Sequence, residues 1–228
     1  MKMYNVKDGI YYLDENLSKL EFDLFREFED ILLKKGYKYL SLPSAGSWEV
    51  IDRQQVVKRK ESLGIDNIHA LFGSAEQGFL EYFMDQEVNE EQCFFSFNQC
   101  FRKEKKLNEL IRLREFKKIE QYCFCKPENA PRYFNEFLEN ITFFLKKHHI
   151  KYRIVDKTND DLGYHFKKYD VEVKTKKYGW LETHSCTYFK DEQTKRLGIK
   201  GGLHTISCTG IASPRILIPF IESKEDKL

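Results

Sequence analysis

Apolar residues at 20, 24, 28, 31 and 32 recur at helical spacing through Leu20 to Lys35, which predicts an amphipathic helix stopped at Gly36. Tyr37 to Leu42 then reads as a short strand ending at Pro43. Residues 49–68 are polar and poorly periodic, so they read as a connecting region that orders on binding. A glycine turn at Gly73 leads into a second helical stripe on Phe79, Tyr82 and Phe83. Cys93 to Phe101 is short, apolar and aromatic, and it suits a buried strand. The polar interval KEKKLNE separates it from a second strand-like run, IRLREFKKIEQYCFC, so the pair predicts an antiparallel hairpin with a long loop.

Pro131 opens the strongest helical signal, with Tyr133, Phe134, Phe137, Leu138, Ile141 and Phe144 on its buried side. Strands follow at 151–156, 169–175 and YGWLETHS, and the last unit reads as a strand through His204–Ser207, a turn at Thr209–Gly210 and a short helix after Ser213-Pro214. Pro219 removes a hydrogen bond inside that helix and is expected to kink it. Helices alternating with hairpin-like strands favour an α+β fold, an antiparallel sheet flanked by helices, in one domain over 1–228. No internal repeat or low-complexity tail interrupts it.

Composition narrows the class. The 228 residues carry 38 basic and 36 acidic side chains, and a net charge of +2 argues against a general nucleic-acid coater while leaving room for a local basic groove. No apolar stretch reaches membrane-span length and MKMYNVKDGI lacks a signal-peptide core, so the expected location is cytoplasmic, with no membrane partner. Six cysteines in such a chain are read as thiols, and Cys123-Phe-Cys125 has neither the spacing nor the second pair of a zinc knuckle.

Period-2 alternation in the hairpin puts Arg102 and Glu104 on one face. Arg112, Arg114, Phe116, Lys118, Glu120 and Tyr122 share a face across the loop, with Ile111, Leu113, Ile119 and Cys123 on the other. Two arginines, an aromatic and a glutamate can bind an anion, stack a base and hold an ammonium group. The same pattern also fits a solvated face with ordinary salt bridges. Glu182, His184 and Cys186 alternate with Thr183 and Ser185, where a carboxylate and a hydroxyl suit a hard cation. A surface or packed histidine is the commoner reading of His184 and of His204. No nucleophile triad, GxxxxGK[ST] loop or GxGxxG fingerprint is present, so nucleotide binding would need another scaffold.

The hairpin resembles the second signature motif of class II aminoacyl-tRNA synthetases, in FRKE at 101–104 and in LIRLREFKKIE at 110–120, which is similar to the seryl type. HTISCTGIASPRILIPFIE, 204–222, resembles the seryl third motif, and DKTNDDLGYHFKKYDVEV and ETHSCTYFKDEQTKRLGIK resemble the seryl core between them. The helix, KKGY and Pro43 are a weaker likeness to the first motif. The resemblance implies ATP and Mg2+ as cofactors. It implies Arg102 on the α-phosphate, Glu104 at the adenine amino group, Phe116 stacked on adenine, and Arg112 and Arg215 on the outer phosphates. Glu182 with Ser185 would bind magnesium. Glu76 and Glu120 would surround a substrate ammonium, with Ser74, Ser207 and Thr209 lining the rest of the pocket. Arg102, Glu182 and Arg215 would be the catalytic set, stabilising in-line attack of an amino-acid carboxylate on ATP.

Departures from the family shape the functional expectation. About 20 residues precede the first motif where seryl enzymes carry a long helical arm, the 105–109 loop is short, and Ser74 and Ser207 stand where Thr and Asn are usual. The expected activity is therefore ATP-dependent adenylation of a small amino acid, serine first and glycine or alanine next, with transfer to a carrier protein or small-molecule acceptor. Arm-less relatives of that kind commonly hold the amino group with zinc, and Ser74, Glu120 and Thr209 lack the cysteine ligands for it. A standalone tRNA-dependent ligase and an inactive binding paralogue stay open as alternatives. The first-motif likeness also implies a homodimer.

Overall fold

The computed structural model describes residues 3–54, 57–159 and 164–225. A small hairpin, β1 (Tyr4–Lys7) and β2 (Ile10–Leu13), leads into α1 (Glu15–Lys34). Asp14 caps that helix by accepting from the Leu17 N–H at 2.9 Å. After Gly36, at φ 81°, come β3 (Lys38–Tyr39), β4 (Ala45–Ser47), α2 (Trp48–Gln54), β5 (Leu63–Gly64), β6 (His69–Leu71) and α3 (Ala75–Phe83). The long hairpin is β7 (Gln92–Phe101) and β8 (Glu115–Cys125), followed by α4 (Ala130–Lys147). The chain closes with β9 (Tyr152–Asp156), β10 (Lys167–Thr175), β11 (Gly179–Lys190), α5 (Glu192–Arg196), β12 (His204–Ser213) and α6 (Ile218–Glu225).

Seven strands form one sheet in the order β3-β7-β8-β12-β11-β10-β9, antiparallel except for β3 against β7. The apolar stripes of α1 and α4 explain why two helices cover one face. Leu17, Leu24, Phe28 and Leu32 of α1 and Phe134, Phe137, Ile141 and Phe144 of α4 bury in one cluster with Ile119, Cys123, Val171, Val173 and Ile206 of the sheet. On the opposite face α3 packs a second cluster, in which Phe79 stacks on Tyr122 with ring centroids 4.9 Å apart. Beside that cluster the same face is left for polar side chains.

Several expectations change. Residues 49–68 are not a bare connector: α2 buries Val50, Ile51 and Gln54, and the segment adds a strand to a small sheet, β4-β6-β5. A helix this short leaves no readable period; residues 55 and 56 lie outside the described residues, as do residues 160–163 of the seryl-like stretch. Tyr82, expected on the buried stripe of α3, is 52% exposed, while Phe79, Leu80 and Phe83 bury in the second cluster. The strand expected over 37–42 keeps strand register only at Lys38–Tyr39, with the Leu40 N–H still donating to the Phe95 carbonyl at 2.9 Å. β8 begins at Glu115, so Arg112 and Arg114 belong to a loop, as do Arg102 and Glu104 beyond the end of β7. The expected turn at Thr209–Gly210 is instead a bulge inside β12, where the pairing with β8 skips from Thr209 to Ile211. Pro219 is the second residue of α6, where its missing N–H has no intrahelical partner to lose, so it starts the helix instead of kinking it.

Gly210 is held to its residue type by packing. A Cβ there would lie 2.4 Å from Phe28 Cε1, inside the α1 core. Gly210→Ala is expected to lower stability by about 1–3 kcal/mol through overpacking. Urea denaturation reads this directly, and an unchanged midpoint would contradict the close approach.

Candidate functional site

The polar half of the β8 face carries Phe116, Lys118 and Glu120, one every second residue, and the start of α3, the loop after β7, and strands β11 and β12 line a groove with them. All twelve residues singled out from the sequence line this groove. Arg102, Glu104, Arg112, Phe116 and Arg215 gather at one end. Ser74, Glu76, Glu120 and Ser207 line a chamber of about 750 Å³ at the other. Glu182, Ser185 and Thr209 border both.

At the first end three guanidinium groups converge. Arg102 lies over the Phe116 ring, 5.2 Å from its centroid, and its Nε donates to the Gly73 carbonyl at 3.0 Å. Arg215 donates to the carbonyls of Ile111 and Glu182, each at 3.0 Å, which pins the end of β12 to the loop and to β11. Burial is the main influence that lowers the Arg215 pKa; Glu182 opposes it, and the neighbouring charges of Arg102 and Arg112 add to it. Arg112 Nη1 stands 3.6 Å from Glu104 Oε2 across the loop. Three cations facing two carboxylates leave a surplus of positive charge beside an aromatic ring, a donor set for phosphate groups next to a stacking surface.

The β11 wall departs from simple alternation. Val171 pairs with His184 and Glu172 with Glu182, so a bulge at Thr183 turns Glu182 and Ser185 toward the same groove. His184 is correspondingly turned inward, 1% exposed, with its pKa pushed down to about 3 by burial and its Nδ1 2.8 Å from the Thr183 hydroxyl. It is a neutral packed side chain and no part of the groove. Ser185 Oγ is shielded from solvent and has no hydrogen-bond partner, while the Glu182 carboxylate is half exposed beside it. Two oxygen donors, one of them otherwise unsatisfied, fit a hard divalent cation whose other ligands are water and phosphate oxygens. Among the described residues no group of three or more His, Cys, Asp or Glu side chains forms a closed metal site.

In the chamber the two expected carboxylates differ. Glu120, 2% exposed, is ion-paired with Lys118, and it accepts from Ser207 Oγ at 2.8 Å and from Ser74 Oγ at 3.4 Å. Lys118 Nζ also donates to Ser74 Oγ at 2.8 Å. Glu120, expected with Glu76 around a substrate ammonium, thus already meets the internal ammonium of Lys118. Among the described residues Glu76 has no ion-pair partner: burial first, then the charge of Glu120, raise its pKa to about 7, against the pull of Lys118, Ser207 and Gln193. Sequence alternation puts Lys118 on the right face without giving it a role. It gives no signal for Gln193, which arrives from α5 and meets Glu76 only in three dimensions.

Lys118 and Glu120 side chains are 8% and 3% exposed, so each depends on the other. Lys118→Met strands a buried carboxylate and is expected to cost about 3–5 kcal/mol, most of it recovered in Lys118→Met/Glu120→Gln. Denaturant melts of the four proteins in that cycle check the pairing, and strictly additive losses would contradict it.

Known proteins resemble this chain in sequence and fold. The family model for the tRNA synthetase class II core domain (G, H, P, S and T) matches residues 64–217. The serine–tRNA ligase of Pyrobaculum islandicum is 31% identical over 238 aligned positions, covering 93% of this chain and 52% of that protein. The cytoplasmic serine–tRNA ligase of Naegleria fowleri, solved in complex with AMP, superposes with a TM-score of 0.86 at 25% identity, over 94% of this chain and 56% of that one. The seryl-tRNA synthetase of Pyrococcus horikoshii, solved with ATP, has the same fold, with a TM-score of 0.87 at 23% identity over 94% and 53% of the two chains. The chain spans about half the length of these relatives. With the family model matching well over half its residues, the chain belongs to the class II tRNA synthetase core family.

Proposed function

We propose that this chain activates serine with ATP. The observation that carries the reading is the placement of the arginine-rich end, with Arg102, Arg112 and Arg215 around Phe116, directly beside a chamber whose buried Glu76 suits an ammonium group. Its relatives named as serine–tRNA ligases, and the ATP bound by the Pyrococcus horikoshii enzyme, support it. Adenine stacks on Phe116 with Glu104 at its amino group, Arg102 holds the α-phosphate, and Arg112 and Arg215 hold the outer phosphates. Glu76, backed by the Lys118–Glu120 pair, receives the serine ammonium, and Ser74, Ser207 and Thr209 face its hydroxymethyl group.

The serine carboxylate oxygen attacks the α-phosphorus in line. A new P–O bond forms as the bond to the β-phosphate bridging oxygen breaks, giving seryl-adenylate and pyrophosphate. No protein nucleophile is needed: positioning and charge stabilisation supply the rate. Glu182 and Ser185 would hold Mg2+, which when bound neutralises the charge growing on the pyrophosphate. Glycine and alanine are the nearest competitors, because a contact to one hydroxyl or methylene separates small substrates only modestly.

Two finer readings accompany this one. The acceptor is proposed to be a carrier protein or small molecule other than tRNA. In its support, the loop after β7 is short at 105–109 and tied down: Glu109 accepts from Lys177 Nζ at 2.5 Å and from the Tyr178 hydroxyl at 2.8 Å. The chain is also proposed to work as a homodimer through α1 and β3, where Phe22, Leu33 and Tyr39 are 60%, 53% and 47% exposed.

Pyrophosphate exchange across the twenty amino acids is expected to be strongest with serine, and exchange confined to a bulky apolar amino acid would overturn the pocket assignment. Arg102→Ala is expected to weaken ATP binding by about 1.5–3 kcal/mol, measured calorimetrically on folded protein, and equal affinity would remove Arg102 from the phosphate site. With radiolabelled serine, label is expected on candidate carrier proteins; robust charging of unfractionated tRNA by the chain alone would refute the acceptor reading. Sedimentation equilibrium is expected to give twice 27.3 kDa, against a monomer at every concentration if the dimer reading is wrong.

A further inference from the structure

Gln193 is wholly buried and belongs to α5, a helix that carries none of the site residues expected from the sequence. Its two amide ends are both engaged. The carbonyl oxygen accepts from Thr205 Oγ1 of β12 at 2.7 Å and from the Tyr122 hydroxyl of β8 at 3.0 Å. The Nε2 group donates to Glu76 Oε1 at 2.5 Å. A carbonyl oxygen with two hydroxyl donors has both lone pairs filled, and rotating the amide would set that oxygen against a carboxylate oxygen. Three elements, α5, β8 and β12, therefore converge to aim one N–H at one carboxylate.

We propose that Gln193 is a positioning residue of the amino-acid subsite: locked by Tyr122 and Thr205, its amide holds Glu76 as a charged acceptor in the orientation that receives the substrate's ammonium. This rests on the reading of the chamber as an amino-acid site. The amide acts through Glu76 and need not touch the substrate. Its importance follows from what surrounds Glu76. Glu120 disfavours a second charge nearby, and Tyr122 and Tyr164 lie close enough to feel the same carboxyl but offer it no positive charge, their hydroxyls donating to Gln193 and to the Gln54 carbonyl. Lys118 favours the charge but is shared with Glu120. Arg196 and His165 line the outer chamber. With its pKa raised to about 7, Glu76 sits where one donor more or less decides its charge near neutral pH.

The sign of the effect is definite. An ammonium binds the carboxylate form, so the serine KM falls as pH rises through the Glu76 pKa. Removing a donor to the carboxylate raises that pKa and moves the limb to higher pH. Gln193→Met keeps length and removes the amide. A limb displaced upward by about 1 pH unit makes the serine KM roughly tenfold higher at pH 6.5, with little difference at pH 8.5. The ATP KM is expected to stay within about twofold at both pH values, since the arginine-rich end is untouched. Thr205→Val, which releases one anchor of the amide and keeps the side-chain shape, is expected to move the limb in the same direction by less.

Pyrophosphate exchange from pH 6 to 8.5 with wild type and both variants reads the KM limbs. Carbon-13 NMR of glutamate carboxyls, with the Glu76 signal assigned by its loss in Glu76→Gln, reads the same titration without turnover. Limbs and carboxyl titration that move together to higher pH support the proposal. A Glu76 titration that stays in place in folded Gln193→Met and Thr205→Val overturns it, as does an equal rise of the serine and ATP KM at all pH values. If wild type exchanges with no amino acid, the activation reading fails on its own account. An unmoved NMR titration beside normal serine exchange defeats only the role of Gln193.

Discussion

Strand β8 is fixed on both sides, by ten register pairs from Gln92–Phe124 to Phe101–Glu115 with β7 and by its ladder with β12. A slip of one residue would turn every side chain on it to the opposite face. One face, with Ile119 and Cys123, is sealed under α1 and α4. The other runs in order from Phe116 through Lys118 and Glu120 to Tyr122 and Phe124, passing from an aromatic at the groove to the second core. The arginine-rich end, the chamber around Glu76 and the packing of α3 are therefore set by one register, and none can move without the others.

The bulges show how the neighbouring strands fit that register. Skipping Gly210 lets β12 pass Phe28 closely while Ser207 and Thr209 still reach the groove. The bulge at Thr183 brings Glu182 and Ser185 to one side and buries His184 as a neutral group. Charge follows the same logic. The groove keeps several like charges close, and backbone carbonyls hold two of them in place: Arg102 by Gly73, Arg215 by Ile111 and Glu182. Donors held in place in this way need no rearrangement to bind an anion. Glu21 ties this end to α1, since its buried carboxylate accepts from Tyr11, Lys117 and Ser213, and the last two flank the Phe116 and Arg215 positions.

Legibility in the sequence depends on whether a signal is local. The α4 stripe and its opening Pro131 are strong periodic features, and α1, α4, β7 and most of β8 follow from such patterns. The twelve groove residues are legible through motifs whose spacing is preserved by the hairpin and the final strand. Short elements escape: α2 is seven residues long, and its burial depends on contacts with α3 and β4. Bulges escape for another reason. Alternation assumes one residue per register step, so it puts Glu182 and Ser185 on opposite faces when they share one. The contacts of Ser207 and Ser74 with Glu120, and the approach of Gln193 to Glu76, join segments far apart in the chain and have no periodic trace.

If one groove along β8 takes a nucleotide and an amino acid end to end, as proposed, the two joined act as a single ligand. A non-hydrolysable seryl-adenylate analogue, titrated calorimetrically beside ATP and serine alone, tests this. The account predicts one analogue per chain, bound at least about a hundredfold more tightly than either part, because joining them removes the entropy of a second binding event. An analogue that binds no better than ATP would contradict it, and would separate the arginine-rich end from the chamber around Glu76.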